Sequence, residues 1–590
     1  MRLISFTAKN FKGIDESGAT LNFAPITLLF GPNNAGKSTL MQAMRLAREV
    51  ICNDNYNPTE MNLGGFANYV HKHDLKRTVY FGFTFAPEPD DYTKLSIEPY
   101  KVIEETKDKI KHFSVEVGIK WNKDLEKVEW CYYGVSINGE ILTKIERDMD
   151  TSKIIMEPLM GPVDVFISED DMQKLCNQGD ICLQAHDVDW DEFVNQSFIH
   201  HDELLRSVPC ELHAVLDWPY FSDITNGNCE FEKQVHDYYC DVIEIASSYI
   251  GFKDLFHSIL ETPEIPTKKD MKEEDVQNKI DALRKQNPEI DTKISKISDN
   301  KELVEMFVDV LLLKEEILAM ERNNKYISSL VLTPGKILYK WFMENPFLYI
   351  GPLRTIPQRN FSTTSDTSNE WSGGLAAWNI LLRADEQQIK RINSMLEGKR
   401  SLDIGYTIKQ ETWQCITPVH GDIRTDNPLT EKRVVLRNSK SDINIFPCDM
   451  GTGISQVIPI VVAADSATKD STVMFEQPEL HIHPKMQVEL GDVLITAIHC
   501  KSEENNTPIF LIETHSEHLI LRLLRRIRET NDGELPNGVS PITPDLLSVM
   551  YVQPNEENGL EIISLPVTSD GDFDRRWPSG FFTERAKELF

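Results

Sequence analysis

The chain has 590 residues, 41% of them apolar and 26% charged, with a formal net charge of −31. That length exceeds what one hydrophobic core organises, so about two to four lobes are expected. An acidic surface of this size repels phosphate backbones; it disfavours generic coating of nucleic acid and leaves such contact to a local basic patch or a partner.

The opening "MRLISFTAKNFKG" alternates like a strand and lacks the apolar core of a signal peptide. "LNFAPITLLF" reads as one buried strand and "STLMQAMRLAREVI" as a helix. "RTVYFGFTF", "HFSVEVGIKW" and "KVEWCYYGVSI" read as strands, the last two alternating as in an antiparallel sheet. Asn138-Gly139 between apolar positions signals a hairpin. From about Asp170 to Asn345 the pattern turns helical and charge-rich without sustained heptads, an insertion rather than a long coiled coil. From Phe347 strands and short helices return, with apolar strands at "STVMFE" and "PIFLIE". The predicted organisation is a split α/β head, residues 1–165 and 346–590, around a helical insertion at 166–345. No apolar run reaches the ~18 residues of a membrane span. The ten cysteines are scattered without a CxxC pair, which fits reduced thiols in a cytoplasm.

"LLFGPNNAGKSTL" carries GxxxxGK[ST] from Gly31 to Ser38, after an apolar strand and at the start of a helix. Backbone amides from Asn33 through Asn34 and Gly36 to Lys37 are placed to cradle phosphates where the helix dipole favours anions. Lys37 then reaches the β- and γ-phosphates, Ser38 ligates magnesium and Thr39 adds an α-phosphate contact. ATP and Mg2+ are the implied cofactors.

In "VMFEQPELHIHP" Glu476 ends an apolar strand, where a magnesium-coordinating carboxylate sits beside a P-loop. Gln477 follows, in the position that faces the attacking water. An amide can orient water but cannot take its proton, so slow hydrolysis or a long-lived ATP state is expected. Glu479 is a further candidate base, although Pro478 is expected to direct it elsewhere. His515, after "PIFLIE", is a candidate γ-phosphate contact, with a satisfied buried histidine as the plainer reading. His481, His483, His515 and His518 lack a cysteine or acidic ligand spaced to complete a zinc site.

"CDMGTGISQVIPIVV" puts Gly451, Gly453, Ser455 and Gln456 just before an apolar helix, with Ser455 21 residues ahead of Glu476. This is the slot of a signature loop that meets the partner protomer's γ-phosphate; the alternative is a glycine-rich helix entry. "WSGGL" from Trp371 to Leu375 has the more usual Ser-Gly-Gly string but lies over a hundred residues before Glu476. The P-loop precedes the signature-like loop by more than 400 residues and each occurs once. A site joining the two across protomers therefore needs two copies of the chain, a homodimer or higher homo-oligomer assembled by ATP. Arg522, Arg525 and Arg526 share a helical face and form a candidate basic patch, or simply a solvated face.

These motifs resemble the ABC/SMC-like ATPases of the RecF and OLD type. "NLGGFANYVH", "YIGPLRTIPQRNF", "ETHSEHLILRL" and the C-terminal "WPSGFF" are similar to a subgroup of prokaryotic predicted ATPases, and within that subgroup the chain resembles the PtuA ATPases of Septu and retron-associated anti-phage systems. The resemblance implies an α/β, ABC-ATPase-like P-loop head, a mixed sheet plus an antiparallel β lobe, split by the helical insertion. It implies a nucleotide set of Asn33, Asn34, Gly36, Lys37, Ser38, Thr39, Ser455, Glu476, Gln477 and His515. It further implies an HNH nuclease partner (PtuB-like), and in some systems a reverse transcriptase with its multicopy single-stranded DNA (msDNA). In that subgroup "EQPE" is habitual, so Gln477 is a family property. Arg354 and Arg359 are open between nucleotide or nucleic-acid contacts and structural pairs to carboxylates. A RecF/SMC-like repair or recombination ATPase is the alternative. A self-sufficient nuclease would need a further domain, and only 75 residues follow His515, with Asp570, Asp572 and Asp574 in an Asp-rich turn. A transporter's ATP subunit is disfavoured by the insertion.

Overall fold

In the computed structural model, the described residues are 2–87, 111–147, 154–156, 334–335, 337–361, 370–398, 401–415, 418–419, 422–423, 429–499, 507–555 and 559–578. The chain divides into two compact units, Met1–Ala86 with Tyr339–Phe590, and Pro87–Leu338.

In the first unit β1 (Arg2–Lys9) pairs antiparallel with β2 (Ala19–Asn22). "LNFAPITLLF" is two strands rather than the single one expected, because the chain leaves β2 and enters a different sheet as β3 (Ile26–Phe30). Pro25 brings no amide donor to the crossing. Thr27 closes the turn instead, its hydroxyl donating to Ala24 O (2.8 Å) and accepting from Ala24 N (3.0 Å). The P-loop then leads into α1 (Lys37–Asn53), whose Leu40, Met44, Ala47 and Val50 recur on one buried face. After the short α2 (Phe66–Tyr69), β4 (Val79–Ala86) pairs with β1, and Phe6 packs against Phe83 at 4.9 Å.

The second unit contains an antiparallel run of β5 (Phe113–Asn122), β6 (Lys127–Ile137), β7 (Glu140–Arg147) and β8 (Ile154–Met156). Asn138 and Gly139 turn between β6 and β7 with φ of 51° and 90°, the two left-handed residues of a tight hairpin turn. The segment expected as 1–165 is thus divided between the units. The helical insertion expected at 166–345 falls, for residues 166–333, outside the described residues.

Back in the first unit, β9 (Phe347–Ile350) precedes α3 (Leu375–Arg383) and α4 (Glu386–Leu396), the latter capped by Asp385 accepting from Gln388 N. A small antiparallel lobe follows. In it β10 (Tyr406–Cys415), the two-residue β11 (Pro418–Val419) and β12 (Asp422–Ile423), β13 (Leu429–Asn438) and β14 (Asn444–Ile445) succeed one another, with β13 pairing both β10 and β14. α5 (Thr452–Ser466), β15 (Thr472–Glu476), α6 (Pro484–His499), β16 (Ile509–Glu513), α7 (Glu517–Asn531), β17 (Leu547–Asn555) and β18 (Gly559–Ser564) complete it.

The central sheet runs β18-β17-β3-β16-β15-β9, parallel except for β18. Its middle strands β3, β15 and β16 are buried along their whole length, as expected for parallel strands covered on both faces. The register sets Leu29 beside Glu513 and Glu513 beside Glu476. The P-loop, Glu513-Thr514 and Glu476-Gln477 therefore leave the sheet along one edge, the carboxyl edge where open α/β sheets bind ligands. This is the α/β P-loop head that the motifs predict. No helix among the described residues is long and apolar enough to cross a membrane.

Candidate active site

The P-loop bends where its sequence allows. Gly31 has φ 144°, and a Cβ there would lie 2.0 Å from Val552 O, so only glycine fits between β3 and β17. Asn34 and Gly36 are also left-handed, and α1 starts at Gly36 with no side-chain cap. An uncapped helix start leaves its first amides available to an anion. Lys37 is buried and folded over its own loop, donating to Gly31 O (2.9 Å) and Pro32 O (3.0 Å). Burial lowers its pKa, and the Glu513 and Glu479 carboxylates partly offset that.

The carboxylate in contact with the P-loop serine is Glu513, not Glu476. Ser38 Oγ donates to Glu513 Oε2 at 2.7 Å, and Lys37 Nζ lies 3.9 Å from Glu513 Oε1. Glu476 stands one strand further out, in register with Glu513, on neighbouring parallel strands roughly 4.8 Å apart. Sequence reasoning missed Glu513. Its signal was present, since "VMFE" and "FLIE" are two apolar strands that both end in Glu. Burial, and then the charge of Glu513, pushes the Glu476 carboxyl up to about 7, against the pull of the Tyr349 hydroxyl and Arg45. Burial raises Glu513 as well, offset by Ser38 and Lys37. Glu476 is 8% exposed, and its buried Oε1 has no hydrogen-bond partner. A hydroxyl and two desolvated carboxylates, one with an orphaned oxygen, fit a hard divalent cation. Arg45, two turns beyond Lys37 on α1, lies 3.7 Å over the Tyr349 ring and supports this pair.

Gln477 has φ 44°, a left-handed state that costs a non-glycine residue roughly 1 kcal/mol. Its amide donates to Glu513 O at 2.8 Å, which keeps the two strand ends together. Glu479, expected to point elsewhere after Pro478, turns back to the end of β16. It accepts from Thr514 Oγ1 (2.8 Å) and from His515 N (2.6 Å). His515 is half-buried, and burial together with the charge of Lys37 lowers its pKa, which favours the neutral imidazole.

A protein-family model described as AAA ATPase domain matches residues 1–520. The chain belongs to the AAA ATPase domain family. A relative, uncharacterized protein MJ1542 of Methanocaldococcus jannaschii, is 30% identical over 76 residues, 13% of this chain and 9% of that protein's length. Among solved structures, the Smc head domain of Pyrococcus furiosus with an extended coiled coil, bound to the C-terminal domain of ScpA, is 9% identical with a TM-score of 0.34, covering 100% of this chain and 98% of that chain. The Smc head domain of Pyrococcus yayanosii with a coiled coil and joint is 11% identical with a TM-score of 0.34, covering 95% and 97%.

In this AAA ATPase the signature-like segment begins α5. Gly451 and Thr452 are exposed at its start, again with no side-chain cap, and a Cβ on Gly453 would lie 2.6 Å from His481 O. Ser455 and Gln456, expected to face a partner's nucleotide, have their side chains inside the chain. The Ser455 hydroxyl is buried and donates to Pro447 O (3.1 Å). The Gln456 amide donates to Arg354 O (2.6 Å) and accepts from Arg354 N (3.2 Å). The reason is the helix: α5 is buried nearly all round from Ser455 to Asp465, so only its first turn faces out. "WSGGL" packs on the segment after β9, with Ser372 O and Gly373 O accepting from Gly351 N and Thr355 N.

The candidate basic patch is neutralised within the AAA ATPase itself. Arg526 grips Asp492 with two bonds (2.8 and 2.7 Å), Arg522 bonds Asp492 (2.9 Å) and Glu489 (3.1 Å), and Arg525 bonds Glu529 (2.6 Å). Three guanidiniums facing three carboxylates leave no positive stripe on this face of α7. Arg354 is buried and donates to backbone carbonyls, whereas Arg359 is 67% exposed and pairs with Asp449 at 2.7 Å. Asp570 and Asp572 lie in a turn closed by Thr568 and held by Arg528 of α7. Among the described residues no group of three or more His, Cys, Asp or Glu side chains could hold a metal.

Glu513→Gln keeps an acceptor for Ser38 and removes one charge. It is expected to raise the Mg2+ concentration needed for half-maximal ATP binding by roughly tenfold. Titrating Mg2+ against a fluorescent ATP analogue checks this, and an unchanged midpoint would assign the cation to Glu476 and Ser38 alone.

Proposed function

We propose that the chain is a cytoplasmic ATP-binding switch that hydrolyses slowly and controls a separate nuclease. The observation that carries this is the pair of strand ends: Glu513 on Ser38 and Lys37, and Glu476 in register beside it, followed by an amide, Gln477, where a carboxylate base would be needed. When bound, ATP and Mg2+ supply the phosphoanhydride and the cation that neutralises its developing charge. The P-loop amides and Lys37 hold the phosphates, with Asn33, Asn34 and Thr39 lining the loop. Ser38, Glu476 and Glu513 hold the cation. Neutral His515 donates its ring N–H beside the γ-phosphate, and Gln477 orients water without removing its proton. Glu479 is occupied by Thr514 and His515 N.

The uncapped, exposed first turn of α5 supports a head-to-head homodimer, in which each Gly451–Gly453 turn meets the partner's phosphate. ATP then acts as the assembly signal. With the arginines of α7 neutralised, nucleic-acid chemistry is assigned to a partner. The resemblance to Septu and retron ATPases supports a PtuB-like HNH nuclease in anti-phage defence as that partner, with a reverse transcriptase and msDNA in the retron form. Light scattering of the purified chain tests the switch. ATP with Mg2+ is expected to double the mass and EDTA to reverse it, with no cutting of plasmid DNA until an HNH nuclease is added. Cutting by the isolated chain would overturn the division of labour, and an unchanged mass would overturn the assembly switch.

A further inference from the structure

Gln477 holds a left-handed backbone state, and besides the local bond from Leu480 N to its carbonyl (3.0 Å) it is held from outside the loop. Glu513 O takes the Gln477 amide, and Arg354, in the segment after β9 and 4% exposed, takes the carbonyls. Its Nη2 donates to Glu476 O (3.0 Å) and to Gln477 O (3.1 Å), two successive carbonyls of the hydrolytic loop. Its Nη1 reaches Gln456 O on α5 at 3.4 Å. The backbone of Arg354 is gripped in turn by the Gln456 side chain, which both donates to its carbonyl and accepts from its amide. Gly374, at φ 75°, lets the start of α3 close on this arrangement, a Cβ there lying 3.2 Å from Pro459 and 3.5 Å from Arg354 Cβ. A planar guanidinium fits here because two of its nitrogens, fixed in one plane, reach carbonyls on two separate segments, Glu476–Gln477 and Gln456, a span that the single nitrogen of a lysine ammonium does not cover.

We propose that Arg354 is the positioning residue of the hydrolytic loop, fixing the Glu476–Gln477 backbone and, through Gln456, joining it to the helix whose first turn is exposed for a partner protomer. The inference rests on the reading of Gln477 as the residue that faces water. It deepens that reading by making the loop's geometry depend on α5. A contact that shifts the first turn of α5 changes the hold of Gln456 on Arg354, and with it the aim of residue 477 within the same chain. Arg354 touches no substrate in this scheme; it acts through the carbonyls of residues 476 and 477.

Arg354→Lys in the full chain is the test, read in the wild-type and Gln477→Glu backgrounds. ATP affinity is expected to stay within about threefold while kcat falls about tenfold or more, the scale of a small misplacement of a reacting group. In the double variant most of the gain from Gln477→Glu should disappear. Hydrogen exchange of residues 474–482 should speed up, since the Gln477 amide then loses the geometry of its bond to Glu513 O. Gln456→Met, which leaves the guanidinium intact, should move both readings in the same direction by less, and serves if Arg354→Lys folds poorly. Unchanged exchange in this loop, or equal losses in ATP affinity and kcat, would overturn the proposal. Failure of Gln477→Glu alone to change turnover would refute the water-facing reading instead, leaving exchange to decide the role of Arg354.

Discussion

Gln477→Glu is expected to raise steady-state ATP turnover by about 100-fold, the scale on which a positioned general base contributes. The two side chains have the same length and branching, and the backbone at 477 is fixed by Arg354 and Glu513 O rather than by the side chain. The substitution therefore changes chemistry and leaves position alone. Glu479 does not already supply the base, because its two oxygens accept from Thr514 Oγ1 and His515 N. Single-turnover hydrolysis with ATP-driven dimerisation followed in parallel separates the steps. The variant should dimerise like wild type and then fall apart as it hydrolyses. Equal turnover in both proteins would mean that the base lies elsewhere, on Glu479 after rearrangement or on the partner protomer.

The P-loop was legible because its chemistry is local: eight contiguous residues specify the turn, the amides and the lysine. The fold class was legible for a similar reason, since uninterrupted apolar strands alternate with helices. What a linear reading missed is made by pairs distant in the chain. Ser38 and Glu513 are 475 residues apart, and only the sheet order places β16 rather than β15 next to β3. Spacing along the helix marked Arg522, Arg525 and Arg526 as a patch, but the acids that neutralise two of them, Glu489 and Asp492, belong to α6. Ser455 and Gln456 followed glycines as a signature would. Motif order does not tell which side of a helix entry meets the core, and here the whole circumference of α5 does from Ser455 onward, leaving only the first turn outside. Pro25 was the missed local cue, a donorless residue inside what looked like one strand.

Lys37→Met is expected to weaken ATP binding by about 100-fold, on the order of 3 kcal/mol for a charged hydrogen-bonding partner of phosphate. It should also change how the nucleotide-free protein responds to pH. Burial raises the folded-state pKa values of Glu476 and Glu513 above their unfolded values. A carboxyl shifted in that direction contributes stability that is complete below its unfolded pKa and is lost as pH rises through its folded pKa, for Glu476 about 7. Wild-type Tm should therefore fall as pH rises across neutrality. Lys37 pulls the Glu513 pKa down, so methionine lets it climb further and the fall in Tm should steepen. Glu476→Gln should flatten the same curve, because the group that titrates near 7 is gone. Thermal denaturation from about pH 5.5 to 8.5 without nucleotide or cation reads all three proteins. Parallel curves would show that Lys37 holds the loop through its carbonyls alone, with its charge uncoupled from the carboxylates. The predicted divergence would make the lysine the internal counterion that keeps two neighbouring carboxylates tolerable until a phosphate draws it away and a cation replaces it.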